Sequence, residues 1–204
     1  MTCSAPRSYE LGRLGRPGTL TRFSLLVTGM QDIYERARRV RVAILDVDGV
    51  LTDGELYYAD SGEEMKAFSV HDGHGIRMLR EHGLAVAIIS GRTSRALEAR
   101  ARNLGIELLY QGAADKLEAF DEILRRCGVS GETCVFVGDD LPDLPVMERC
   151  GLAIAVPDAP APVRRRAQYV TRARGGRGAV REVCEIILRA RGLPAARPAA
   201  SPKR

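Results

Sequence analysis

Residues 42–54 read Val42-Ala43-Ile44-Leu45-Asp46-Val47-Asp48-Gly49-Val50-Leu51-Thr52-Asp53-Gly54, four apolar residues that break at once into a loop bearing carboxylates. A continuous apolar run of this length is the pattern of a central parallel strand covered on both faces. Gly49 lets the chain leave that strand sharply. Ligands of open α/β sheets bind where strands end, so chemistry is expected at Asp46 and Asp48. Two carboxylates held together beside a buried strand repel one another and lose hydration, so an ionised pair needs a cation or must share a proton. A hard divalent ion, Mg2+, would resolve that conflict. A lone Asp-x-Asp also fits a capped turn with one solvated carboxylate, and its meaning depends on the rest of the chain.

Downstream of the loop, Glu55–Tyr58 and Glu64–Val70 are β-prone runs separated by Ala59-Asp60-Ser61-Gly62, a hairpin signal. From Gly75 onward helix and strand patterns alternate. Helices are expected from Ile76 to Gly83, at Thr93–Leu104, Ala114–Cys127, Leu144–Arg149 and Ala179–Arg191. Strands are expected at Leu84–Ile89, Ile106–Tyr110, Thr133–Val137 and Leu152–Val156. Such alternation implies right-handed crossovers and an α/β fold, a three-layer, Rossmann-like parallel sheet, here with a small β-hairpin where a large cap could stand. Upstream, Gln31–Arg39 has the composition of a short helix. Residues 1–29 read as a disordered leader, or as translation upstream of a start at Met30; residues 192–204 read as a disordered tail, and one domain is expected over 30–191.

The chain has 204 residues, enough for a substantial core without disulfides. Its five cysteines, Cys3, Cys127, Cys134, Cys150 and Cys184, are odd in number and lack Cys-x-x-Cys spacing, which points to reduced thiols in a cytoplasmic protein. No apolar run reaches the length of a membrane span or a signal-peptide core. The net charge of +5 is uneven: residues 1–41 hold eight arginines against three acids and residues 163–204 hold twelve basic residues against two acids, while the middle is acidic. Because the basic excess lies at the ends and no aromatics interleave with it, a small anionic partner is expected rather than nucleic acid. Lysine occurs only at 66, 116 and 203, so a lysine inside the fold stands out.

Four polar clusters fall at or just after buried strands: Asp46/Asp48, Ser90 with Gly91 and Arg92, Lys116 at a helix start, and Asp139/Asp140/Asp143. Together they form a phosphoryl-transfer set. Asp46 would be the nucleophile and Asp48 the acid and base. Ser90 and neighbouring backbone amides would hold phosphoryl oxygens, Lys116 would neutralise charge, and Mg2+ would bridge carboxylates and phosphate. Each cluster alone has an ordinary structural explanation as a strand-to-helix turn, a solvated lysine or a helix cap. Their joint occurrence in this order does not. His71, His74 and His82 lack metal-ligand spacing and read as surface or loop residues.

In this order the clusters resemble the four motifs of the haloacid dehalogenase superfamily of phosphatases. Within it, GEEMKAF, DGHGI, SGRTSRALEARARNLGI, LYQGAADKLEAF, VGDDLPDLPVM and GGRGAVREVC, with no large cap, resemble the 3-deoxy-D-manno-octulosonate 8-phosphate phosphatase family over roughly Met30–Arg191. The resemblance implies a Mg2+-dependent homotetramer in which subunit hairpins associate and help close each active site, with a role in making a sugar acid, Kdo, for lipopolysaccharide. It also implies an aspartyl-phosphate on Asp46, acid/base chemistry at Asp48, and metal held by Asp46, the Asp48 carbonyl and Asp139. Relatives acting on nine-carbon sugar acid 9-phosphates share this set; Arg92 and GGRGAVRE favour the eight-carbon substrate. Arg92, aided by Arg174 or Arg177, is the candidate for the substrate carboxylate, because the guanidinium fork takes both oxygens. A noncatalytic binding subunit would have no need of Asp46, Asp48, Lys116 and Asp139 together.

Overall fold

The computed structural model describes residues 22–194, with side chains from residue 29 onward. The first helix, α1 (Arg22–Arg39), leads into β1 (Val42–Leu45), all four of whose residues are buried. A hairpin follows, β2 (Tyr57–Tyr58) antiparallel to β3 (Glu64–Met65). The chain then alternates through α2 (Val70–Glu81), β4 (Ala85–Ile89), α3 (Arg95–Leu104), β5 (Leu108–Tyr110), α4 (Lys116–Cys127), β6 (Cys134–Gly138), α5 (Leu144–Arg149), β7 (Leu152–Ala155), α6 (Ala161–Arg166), β8 (Tyr169–Val170) and α7 (Ala179–Ala190). The main sheet is parallel throughout, in the order β5-β4-β1-β6-β7-β8. β1 is central, with Val42 opposite both Ala85 and Cys134. Because β1, β6 and β7 are buried on both faces, helices cover each side. α1 and α2 pack on α7, and α4 packs on α5. Ile44, Leu45, Ile88, Phe120 and Phe136 fill the space between sheet and helices. The expected α/β three-layer sheet with a hairpin in place of a large cap is what the chain forms.

The differences from expectation are local. α1 begins well before Gln31; residues 1–21 of the expected leader and 195–204 of the expected tail lie outside the described residues. α2 starts at Val70, ahead of the expected start at Ile76. Ser69 caps it by accepting from the Asp72 amide at 3.3 Å, and a Cβ at Gly75 would come within 3.1 Å of Arg181 on α7. Close helix packing therefore wants glycine where helix propensity does not. α6 and β8 were not anticipated, being too short for periodicity to register. The four described cysteines are free, and among the described residues no helix is long and apolar enough to cross a membrane.

Candidate active site

The loop after β1 closes on itself. Asp46 continues the ladder through its amide to the Val137 carbonyl (3.0 Å), and the amides of Val50, Leu51 and Thr52 all donate to the Val47 carbonyl. Thr52 Oγ1 accepts from Gly49 and Gly54, both at 3.3 Å. Gly49 has φ +84°, and a Cβ there would overlap the Asp139 carboxylate. Glycine thus lets the loops after β1 and β6 touch.

Their contact brings three carboxylates together. Asp46, Asp139 and Asp143 each offer an oxygen within 4.8 Å of the others. Lys116, at the N-terminus of α4, is buried and donates to Asp46 Oδ1 at 2.7 Å and to Asp143 Oδ1 at 2.6 Å. Asp143 Oδ2 accepts from the amides of Asp139 (2.9 Å) and Asp140 (3.1 Å), so this one side chain fixes both the lysine and the loop. Asp140 is exposed and caps the short turn that follows. Burial, then the Asp143 charge, pushes Asp46 up to about 6 against the pull of Lys116; burial and the charges of Asp46 and Asp143 push Asp139 up to about 8. Burial works against the Lys116 ammonium, yet Asp46 and Asp143 more than offset it. One ammonium for three carboxylates leaves uncompensated negative charge in an all-oxygen cluster, which is the donor set of a hard divalent cation. The residues fit Mg2+.

Asp48 faces a different group. Its carboxylate is ion-paired with Lys66, whose side chain is only 3% exposed, and lies 3.8 Å from Arg92 Nε. Lys66 also meets Glu64 at 2.9 Å, and Glu64 accepts from Arg92 Nη2 at 2.5 Å. Ser90, after β4 and next to β1 in the sheet, is buried and accepts from the Arg92 amide at 3.2 Å; Gly91 is exposed beside it. A cleft of about 940 Å³ separates hairpin residues Ser61–Lys66 from Thr93–Ala96.

A third loop, 172–178, lies over the first. Gly175 packs against the backbone of Gly49 and Thr52, and the Gly176 amide donates to Val50 (2.9 Å). Two carboxylates hold this loop at its ends. Glu182 accepts from the Arg172 and Ala173 amides and from Tyr169 Oη, while buried Asp72 accepts from the Gly178 (3.2 Å) and Arg181 (2.7 Å) amides. Asp72 therefore caps α7 from α2.

The structure thus gathers Asp46, Lys116 and Asp139 as the sequence suggested and adds Asp143 to them. Asp48 stands with Arg92, but Arg174 and Arg177 do not join it: Arg174 pairs with Asp158 and Arg177 with Asp53. Sequence reasoning missed Lys66, Glu64, Asp72 and Glu182; the scarcity of lysine was the one available signal for the first. His71 and His74 are exposed, and His82 Nδ1 lies 2.8 Å from the Met78 carbonyl.

Comparison with known proteins points the same way. A family model for haloacid dehalogenase-like hydrolases matches residues 72–151. The chain is 51% identical over 161 residues to the 3-deoxy-D-manno-octulosonate 8-phosphate phosphatase KdsC of Escherichia coli K12, an alignment spanning 79% of this chain and 86% of that one. The crystal structure of the corresponding phosphatase from Yersinia pestis superposes with a TM-score of 0.78 at 51% identity, covering 79% of this chain and 87% of the other. The Moraxella catarrhalis phosphatase, solved in complex with magnesium ion, phosphate ion and KDO, gives 0.78 at 42% identity, covering 80% and 94%.

Proposed function

The chain belongs to the haloacid dehalogenase-like hydrolases, and from that premise we propose that it is a Mg2+-dependent phosphatase converting 3-deoxy-D-manno-octulosonate 8-phosphate to the free sugar acid and phosphate. The observation that carries this reading is the Asp46/Lys116/Asp139/Asp143 cluster where the loops after β1 and β6 meet, with a second carboxylate, Asp48, two residues beyond Asp46.

Asp46 Oδ1 is held by Lys116, which leaves its other oxygen to attack phosphorus. As the bond from phosphorus to the sugar oxygen breaks, Asp48 gives that oxygen its proton. Asp48 then takes a proton from water, whose oxygen attacks the aspartyl-phosphate and frees Asp46. Lys116 and the Ser90 loop balance charge on the phosphoryl oxygens. Mg2+, held by Asp46 and Asp139 with the Asp48 carbonyl, would supply the positive charge that lets nucleophile and phosphate approach.

Arg92 serves the sugar carboxylate in this reading. It lies beside Asp48, its side chain is 42% exposed, and its partner Glu64 is a carboxylate of the kind the substrate would present. Leu56, Tyr57, Tyr58 and Met65 of the hairpin are large apolar side chains left exposed, which supports a homotetramer assembled through hairpins. The enzyme would act in the cytoplasm, in the supply of lipopolysaccharide precursor. Phosphate release from a panel of sugar acid 8- and 9-phosphates, simple sugar phosphates and p-nitrophenyl phosphate, with and without Mg2+, tests the assignment. Preference for the nine-carbon acid would reassign the substrate, and activity without divalent metal would overturn the mechanism. Arg92→Ala should raise KM for the sugar acid phosphate on the order of ten- to a hundredfold, as loss of one charge-assisted bond does, and leave p-nitrophenyl phosphate little affected.

A further inference from the structure

The charges around Asp48 close into a ring. Lys66 bridges Asp48 and Glu64 Oε1, Glu64 Oε2 accepts from Arg92 Nη2, and Arg92 Nε returns to Asp48 Oδ2. With Asp48 ionised, two cations and two carboxylates make the ring neutral. Glu64 comes from β3 of the hairpin, an element the phosphoryl chemistry does not use. Its two oxygens are divided between the two cations, Oε1 toward Lys66 at 2.9 Å and Oε2 toward Arg92 at 2.5 Å. That is the pose of a bridging carboxylate ligand.

The fit is incomplete. Glu64 Oε1 is buried and, though near the lysine, has no hydrogen bond of good geometry. That oxygen is held by the charge of the lysine at 2.9 Å. Lys66, by contrast, cannot do without anions: at 3% side-chain exposure, Asp48 and Glu64 must replace the water it has lost. The hairpin holding Glu64 is short, pairing Tyr57 with Met65 and Tyr58 with Glu64 and closing through the Ala59 amide on the Glu63 carbonyl (2.9 Å), and is not part of the main sheet. A carboxylate that neutralises a buried lysine, fits it imperfectly and rides on a small hairpin is well placed to yield to another.

We propose that Glu64 is an internal stand-in for the substrate's carboxylate: it occupies Arg92 and Lys66 in the free enzyme and is displaced when a sugar acid binds. The proposal rests on the reading of the substrate as a sugar acid phosphate. A phosphate ester without a carboxylate leaves Glu64 where it is. An acid competes with it, so Glu64 sets the affinity for acids and has no effect on other phosphates. Without Glu64, the cations would also be open to any small anion, and the stand-in keeps them reserved for a ligand able to bridge both.

The test is Glu64→Gln in the full chain with Mg2+, with Glu64→Ala as a second variant and melting curves to establish folding. The variants should lower KM for 3-deoxy-D-manno-octulosonate 8-phosphate, and tighten inhibition by the free sugar acid, roughly three- to tenfold, the gain from removing one competing charge-assisted contact. KM for p-nitrophenyl phosphate should stay within about twofold of the parent on the same reasoning. A raised KM for the acid would show that Glu64 orients Arg92 and would overturn the proposal, as would an unchanged ratio between acid and ester. The two readings fail separately. If the parent enzyme has no preference for acids over carboxylate-free phosphates, the substrate assignment falls; if it has one that both variants keep, only the stand-in falls.

Discussion

Replace Asp143 by asparagine and its two sets of hydrogen bonds cannot both survive. One oxygen faces the Lys116 ammonium at 2.6 Å and the other faces the amides of Asp139 and Asp140 at 2.9 and 3.1 Å, so every neighbour is a donor. An asparagine turned either way aims its own NH2 at a donor. Removing one member of a buried, hydrogen-bonded ion pair costs about 3–5 kcal/mol, which at about 2–4 °C per kcal/mol for a domain of this size is a fall in Tm on the order of 10 °C. Asp139→Asn should behave in the opposite way without metal. Asp139 is pushed from 3.8 up to about 8 by burial and by Asp46 and Asp143. The folded metal-free protein thus keeps a proton that the unfolded chain releases above pH 3.8, and its stability declines as pH rises from there to about 8. Asparagine removes that decline, so the variant should melt above the parent at pH 8 and differ little at pH 4, while losing Mg2+-dependent turnover. Thermal melting of chelated protein at the two pH values, with phosphate release in Mg2+, reads both effects. If Asp143→Asn melted with the parent, or if Asp139→Asn were destabilising at pH 8, the division into one carboxylate that organises the cluster and one that awaits a cation would be wrong.

Asp48→Asn should slow the sugar phosphate far more than p-nitrophenyl phosphate in single-turnover release of the alcohol, because the poor alkoxide needs the proton most; equal slowing would remove Asp48 as the acid. Gly49→Ala should cost about 1–3 kcal/mol of stability from the positive φ alone and weaken Mg2+ activation, since its methyl group displaces the Asp139 carboxylate; melting curves and a Mg2+ titration of activity separate the two. Asp72→Asn keeps one acceptor for two amides, so hydrogen exchange at Gly178 and Arg181 should accelerate and stability should fall by about 1–3 kcal/mol. Unchanged exchange there would show that α7 holds the 172–178 loop without Asp72.

The sheet was legible because its signals are local and redundant. Val42–Leu45 and Cys134–Gly138 are apolar runs too short for helices, each ending in carboxylates, and the intervening helices carry their own periods and stops. Asp46, Lys116 and Asp139 were legible for a related reason: topology places the C-terminal ends of β1 and β6 side by side, so motifs at those ends must meet. What escaped were partnerships that local pattern does not encode. Asp72 followed by Gly73 looks like a turn, and only the approach of α2 to α7 makes it the cap of a helix more than a hundred residues away in sequence. Glu182 looks like an ordinary first-turn acid, and its three donors come from β8 and the loop behind it.

Lys66 shows most clearly where such reading ends. Its scarcity marked it, yet on a strand-edge pattern of charged residues every side chain is expected to face water. What turns it inward is a carboxylate on another element, Asp48, whose loop packs against Asp139 and Gly175 at Gly49. Once Lys66 is buried it requires Glu64, and Glu64 in turn captures Arg92, the residue proposed to meet the sugar acid. The Asp46 cluster therefore belongs to the sheet, while Glu64 and Lys66, two of the four charges in the ring around Asp48, hang on the hairpin. If the proposed roles hold, substrate preference can shift through Glu64, Lys66 and Arg92 with the Asp46 cluster left as it stands.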